Sequence, residues 1–100
     1  MRFSRFEPQE VVVPAGATIR FVVQNEDPID HEFILGDRAV QDRHESGTDP
    51  HHGELPGEVS VPAGARAETV YRFGGPGTLL IGCHLPGHWR YGMRAVVRVA

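Results

Sequence analysis

Apolar residues in this chain come in short, valine-rich runs that alternate with polar residues and end at proline or glycine. Such period-two runs predict β-strands; the 3.6-residue apolar rhythm of an amphipathic helix is nearly absent. The pattern places strands near 2–6, 10–13, 17–24, 31–36, 57–61, 66–73, 78–83 and 93–99. About eight short strands in a chain of 100 residues predict an all-β, two-sheet sandwich.

Two stretches echo each other. VVVPAGATIRFVV (11–23) and VSVPAGARAETVYRF (59–73) share the frame V-x-V-P-A-G-A, in which proline closes one strand and glycine turns the chain into the next. They read as two similar turns, not as a repeat architecture. The segment 36–58, GDRAVQDRHESGTDPHHGELPGE, breaks the pattern: it is acidic, holds three histidines and reads as a long loop. Connections of this length tend to be functional or mobile, and a mobile polar loop is the preferred reading here. A short helix over 38–45 is allowed but has no apolar face to recommend it.

Composition adds limits. The 100 residues, 40% hydrophobic and 23% charged, suit one globular domain spanning 1–100. No apolar run reaches the roughly 20 residues of a membrane span, and no signal-peptide core is visible near the start. Twelve acids against five arginines give residues 1–58 a charge of −7, and one acid against five arginines gives 59–100 a charge of +4. No basic stripe interleaved with aromatics appears, so nucleic acid is a poor partner. A single cysteine, Cys83, excludes an internal disulfide.

Strand parity then orients the candidate chemistry. His31 shares a strand face with Phe33 and Leu35, Cys83 with Leu79 and Ile81, and Met93 with Ala95, Val97 and Val99; all three point inward. Glu32 and Asp30 take the other face of their strand, as does His84 of its own. Leu80 also falls on that outer face, where the alternation leaves it unexplained.

Residues 83–93, CHLPGHWRYGM, put Cys83, His88 and Met93 at spacings of five and five. Taken singly, each is ordinary core material. Together with the inward His31 they form a donor set of two imidazoles, a thiolate and a thioether, which is copper chemistry: a trigonal His₂Cys plane with a weak axial Met. Pro86 and Gly87 let the chain turn back so that His88 meets the ion held by Cys83, and Gly92 does the same before Met93. Structural zinc would ask for more cysteines, and catalytic zinc for three His or His₂Glu. A cysteine hydrolase would need a base and an orienting third group, and no oxyanion hole or substrate pocket is suggested.

The C-x₄-H-x₄-M loop, the stretch NEDPIDH (25–31) ending at a strand-opening histidine, and the VPAG frames resemble the cupredoxins, the family of plastocyanin and azurin. The resemblance runs through essentially the whole chain. It implies a Greek-key β-sandwich holding one type 1 copper on His31, Cys83, His88 and Met93, with Met93 the weak axial ligand. It implies an electron-transfer protein, not an enzyme, that cycles Cu(I) and Cu(II) in the periplasm or outside the cell, a monomer without a membrane span. A redox partner would dock near His88 and Trp89, on a patch with Leu85, Pro86, Pro28 and Ile29, while Arg90 and Arg94 would favour an acidic partner or form a solvated face. The alternatives are an exported copper-handling protein, with His44, His51 and His52 as a secondary metal site, or a cupredoxin domain of a larger oxidase. Two residues depart from the family pattern. Glu32 stands where asparagine usually follows the first histidine ligand, and His84 follows the cysteine.

Overall fold

The two VPAGA frames set the architecture. In a computed structural model describing residues 1, 4–45, 56–84 and 87–100 (backbone alone at 90 and 91), each frame carries the chain from one β-sheet to another. Strand β1 (Glu10–Val13) leads through the first turn into β2 (Thr18–Gln24), and β4 (Glu58–Val61) through the second into β5 (Arg66–Arg72). In both turns the alanine N–H donates to the proline carbonyl three residues back, Ala17 to Pro14 and Ala65 to Pro62. Gly16 and Gly64 have φ of 78° and 70°, the left-handed conformation a type II turn requires at its third residue.

β2 and β5 pair antiparallel as a two-stranded sheet. The larger sheet has the order β1-β7-β6-β3-β4, adding β3 (His31–Gly36), β6 (Gly77–Gly82) and β7 (Arg94–Val99). β1 and β7 are parallel and the other pairs antiparallel. The all-β sandwich is as expected, and the strand bounds differ by a residue or so. The expected strand at 2–6 falls partly on residues 2 and 3, which lie outside the described residues; Ser4 is in a turn and Arg5 makes an isolated bridge.

Between the sheets Phe33, Leu35, Val61, Phe73, Ile81, Val97 and Val99 are buried with Cys83 and Met93. The ring contact of Phe21 with Phe33 at 5.4 Å joins the layers, and Phe73, directly after β5, packs on Phe21 at 6.2 Å. Burying such side chains contributes on the order of 2 kcal/mol each.

The segment 36–58 is not all loop. Helix α1 (Arg38–Glu45) opens it, with the Asp37 carboxylate accepting the Val40 N–H at 3.0 Å as an N-cap; residues 46–55 lie outside the described residues. The one fully buried side chain of α1 is polar: Gln41 Nε2 donates to the carbonyls of Ile34 and Leu80, both at 3.0 Å. α1 therefore lies over the outer face of β3 and β6. That cover accounts for Leu80, and it buries Glu32 and Ile34 too, so every residue of β3 is buried. No helix among the described residues is long and apolar enough to cross a membrane.

Candidate metal centre

At one end of the sandwich, His31 opens β3, Cys83 follows the last residue of β6, and Met93 precedes the first of β7. The link between β6 and β7 carries a one-turn helix, α2 (His88–Tyr91), flanked by Gly87 at φ 82° and Gly92 at φ 109°. These are the two glycines expected to turn the chain. Gly92 N–H donates to the Trp89 carbonyl and Met93 N–H to that of His88. Cys83 N–H then donates to the Met93 carbonyl at 3.1 Å, closing the loop on itself.

The result is a triangle of donors. Cys83 Sγ lies 3.3 Å from His88 Nδ1 and 3.9 Å from His31 Nδ1, and the two Nδ1 atoms are 3.3 Å apart. A triangle with edges of about 3.5 Å has its centre about 2 Å from each corner, an ordinary length for metal–nitrogen and metal–sulfur bonds. Cys83, His31 and Met93 are at most 1% exposed, while His88 is half-buried. Two imidazoles and one thiolate, with the buried Met93 bonded to Cys83 through its carbonyl, fit copper better than zinc.

Two of the donors, His31 and Cys83, are held by hydrogen bonds from outside the triangle. His31 Nε2 sits 2.6 Å from Asp27 Oδ2, which leaves Nδ1 facing the centre. Asp27 is itself placed by the Ser4 N–H on its carboxylate and by its own N–H donating to Asn25 Oδ1. Asn25 is fully buried, and its Nδ2 reaches the carbonyls of Ile29, Val61 and Pro62. Asn25 and Asp27 lie within NEDPIDH, but the roles of their side chains had no signal in the strand alternation.

Glu32 N–H donates to Cys83 Sγ at 3.3 Å, and its carboxylate accepts the His84 N–H at 3.0 Å. The glutamate thus joins the segments that carry His31 and Cys83. The pKa of His88 is lowered from 6.5, first by burial and then by the charge of His31, against opposing pulls from Asp27 and Glu32. A low value keeps the ring neutral, the form that binds metal.

His84 does face away from the donor triangle, as its strand parity indicated, yet its side chain is only 1% exposed. It is packed beneath α1, stacked on Trp89 at 4.7 Å and on His44 at 6.0 Å. Trp89 is buried in turn, with the exposed Arg94 over its ring at 5.1 Å, so it packs the loop and offers a docking partner little surface. His44 Nε2 is 3.1 Å from Glu58 Oε1, so it is already engaged with a carboxylate. His51, His52, Leu85 and Pro86 lie outside the described residues, as do the side chains of Arg90 and Tyr91.

A β-sandwich closed at one end by an imidazole–thiolate–imidazole triangle, with Met93 beside Cys83, defines a class: the fold is that of the cupredoxins, and the donor set fits copper. No protein-family profile matches the sequence. The copper-resistant cuproprotein CopI of Rubrivivax gelatinosus is 40% identical over 94% of this chain and 60% of its own length. The protein of the same description from Pseudomonas aeruginosa is 32% identical over 88% of this chain and 66% of its own. The chain thus spans about 60% of the length of the first of these relatives. Among solved structures, auracyanin A, a "blue" copper protein of Chloroflexus aurantiacus, superposes with a TM-score of 0.82 at 22% identity, covering 99% of this chain and 91% of its own. That likeness is one of fold.

Proposed function

We propose that residues 1–100 form one type 1 copper domain that passes single electrons, with His31, Cys83, His88 and Met93 as the residues that would hold the ion. The observation that carries this reading is the donor triangle with edges of 3.3–3.9 Å at the end of a rigid sandwich. Copper supplies the one-electron chemistry when bound. The chain's part is to keep the donors where both oxidation states are tolerated, so that little rearranges on transfer. Asp27 behind His31, and Glu32 with the Met93 carbonyl around Cys83, do that holding.

His88, the half-buried donor, is the route for electrons, and Pro28 and Ile29, exposed in the stretch that leads into His31, are apolar residues a partner would meet. Redox interfaces of this kind are small and weak. The domain acts as a monomer without catalysing bond changes, and by its cupredoxin character works in the periplasm or outside the cell.

Adding Cu(II) to the purified chain is the test. An intense thiolate-to-copper band in the visible spectrum is expected, absent in Cys83→Ser; a colourless copper-bound protein would refute the assignment. The description of the curated relatives as copper-resistant favours a second reading, copper buffering or delivery by the same site. It is separated by stoichiometry and exchange. A carrier binds one copper per chain and cycles quickly with a redox partner. A handling protein takes extra copper through His44, His51 and His52 or yields its ion to an acceptor.

A further inference from the structure

α1 stays on the sheet without an apolar face, and two of its side chains, Gln41 and Glu45, meet on one residue next to the thiolate. Gln41, fully buried, spends both amide hydrogens on the carbonyls of Ile34 and Leu80. Its Oε1 is thereby fixed as an acceptor and receives His84 Nε2 at 2.6 Å. Glu45 Oε1, one turn further along α1, receives His84 Nδ1 at 2.8 Å. Both ring nitrogens of His84 are therefore bonded to the helix, while its backbone N–H is bonded to Glu32.

From this geometry we propose that His84 is a positioning residue. By tying the residue after Cys83 to Gln41 and Glu45, it makes α1 a strut that sets where the thiolate sits relative to His31 and His88.

Two further features support the strut. The junction has no slack: a methyl group at Gly82 would lie 2.6 Å from Gln41 Oε1 and would overlap the Trp89 ring. Displacement of α1 must therefore pass into the backbone at residues 82–84 instead of being absorbed by a void. The Cys83 sulfur is also bonded to the N–H of Glu32, whose carboxylate holds the His84 N–H. A shift of His84 thus moves both the backbone that carries the sulfur and the group that donates to it.

The inference rests on the copper reading, and its test separates the two. The full chain is loaded with Cu(II). Visible band ratio, copper hyperfine splitting, reduction potential and rate of copper loss to a chelator are then compared for wild type, Glu45→Ala, Glu45→Gln, His84→Phe and the Glu45→Ala/His84→Phe double variant. Glu45 is partly exposed at the end of α1, and its removal leaves the sandwich core intact. Phenylalanine keeps the stack on Trp89 but drops both ring hydrogen bonds.

Glu45→Ala and His84→Phe are expected to shift the band ratio and potential in the same direction and to weaken copper binding roughly tenfold, as loss of an outer-shell partner does. Glu45→Gln, which keeps an acceptor, should stay near wild type, and the double variant should resemble His84→Phe alone. Should His84→Phe fail to fold, the Glu45 pair decides by itself. A Glu45→Ala protein with wild-type spectrum, potential and exchange rate overturns the proposal while leaving the copper site standing. A wild type that shows no thiolate-to-copper band overturns both.

Discussion

Asp27 Oδ2 lies 2.6 Å from His31 Nε2, four residues along the chain, and both side chains are buried. The carboxylate engages Nε2 and leaves Nδ1 facing Cys83 and His88, so this donor is oriented by the fold itself. Asp27→Ala should leave the fold in place but let the His31 ring turn. We expect copper affinity to fall roughly 10- to 100-fold, measured by competition with a chelator of known affinity. Unchanged affinity would mean that the packing around His31 suffices to orient it.

Glu32 puts a carboxylate between the segments that carry His31 and Cys83, with its N–H on Cys83 Sγ. Glu32→Gln keeps an oxygen for the His84 N–H and removes a formal negative charge. A unit charge within about 10 Å at an effective dielectric of about 20 is worth on the order of 1–2 kcal/mol, or roughly 50–100 mV for one electron. The charge favours the more positive ion, Cu(II), so the variant's reduction potential should rise by about that much in voltammetry. A fall, or no change, would argue that the hydrogen bonds alone matter.

His88 has its pKa lowered by burial and by the charge of His31, so the unfolded chain takes up a proton at this residue before the folded one does. The share of stability tied to this ring is intact above the unfolded value of about 6.5. It is lost as pH falls from there toward the lower folded value, below which it declines no further. Urea midpoints of the metal-free protein should therefore drop between pH 7.5 and 5.5, and drop less in His88→Gln. An equal drop in both proteins would exclude His88 as a source.

Strand alternation was enough to turn His31, Cys83 and Met93 inward, because those strands have a clear apolar face against the second sheet. It failed where burial is polar. α1 meets the sheet through polar side chains, Gln41 on the Ile34 and Leu80 carbonyls and His44 on Glu58, so no apolar rhythm marked the helix as packed, and the outer face of β3 looked exposed. Leu80 was the visible trace of that cover, and Ile34 beside Glu32 was a second. His84 was rightly turned from the metal, but alternation gives direction only, and what waits on the far side is an element 39 residues away in sequence. The one-turn helix at His88–Tyr91 is too short for any period to register.

The repeated VPAGA turn is a built-in comparison. Pro14–Ala17 sits at the end where Ala15 and Gly16 meet the Ala100 and Gly74 carbonyls. Pro62–Ala65 braces the first ligand's loop: Asn25 donates to the Val61, Pro62 and Ala65 carbonyls, and Ala63 N–H to Asp30. Gly16 and Gly64 have similar positive φ and open space where a side chain would go. Gly16→Ala and Gly64→Ala should thus destabilise the fold about equally, by about 1 kcal/mol in urea melts. Only Gly64→Ala should also loosen copper, so one motif, altered at its two addresses, separates the stability of the barrel from the grip of its metal site.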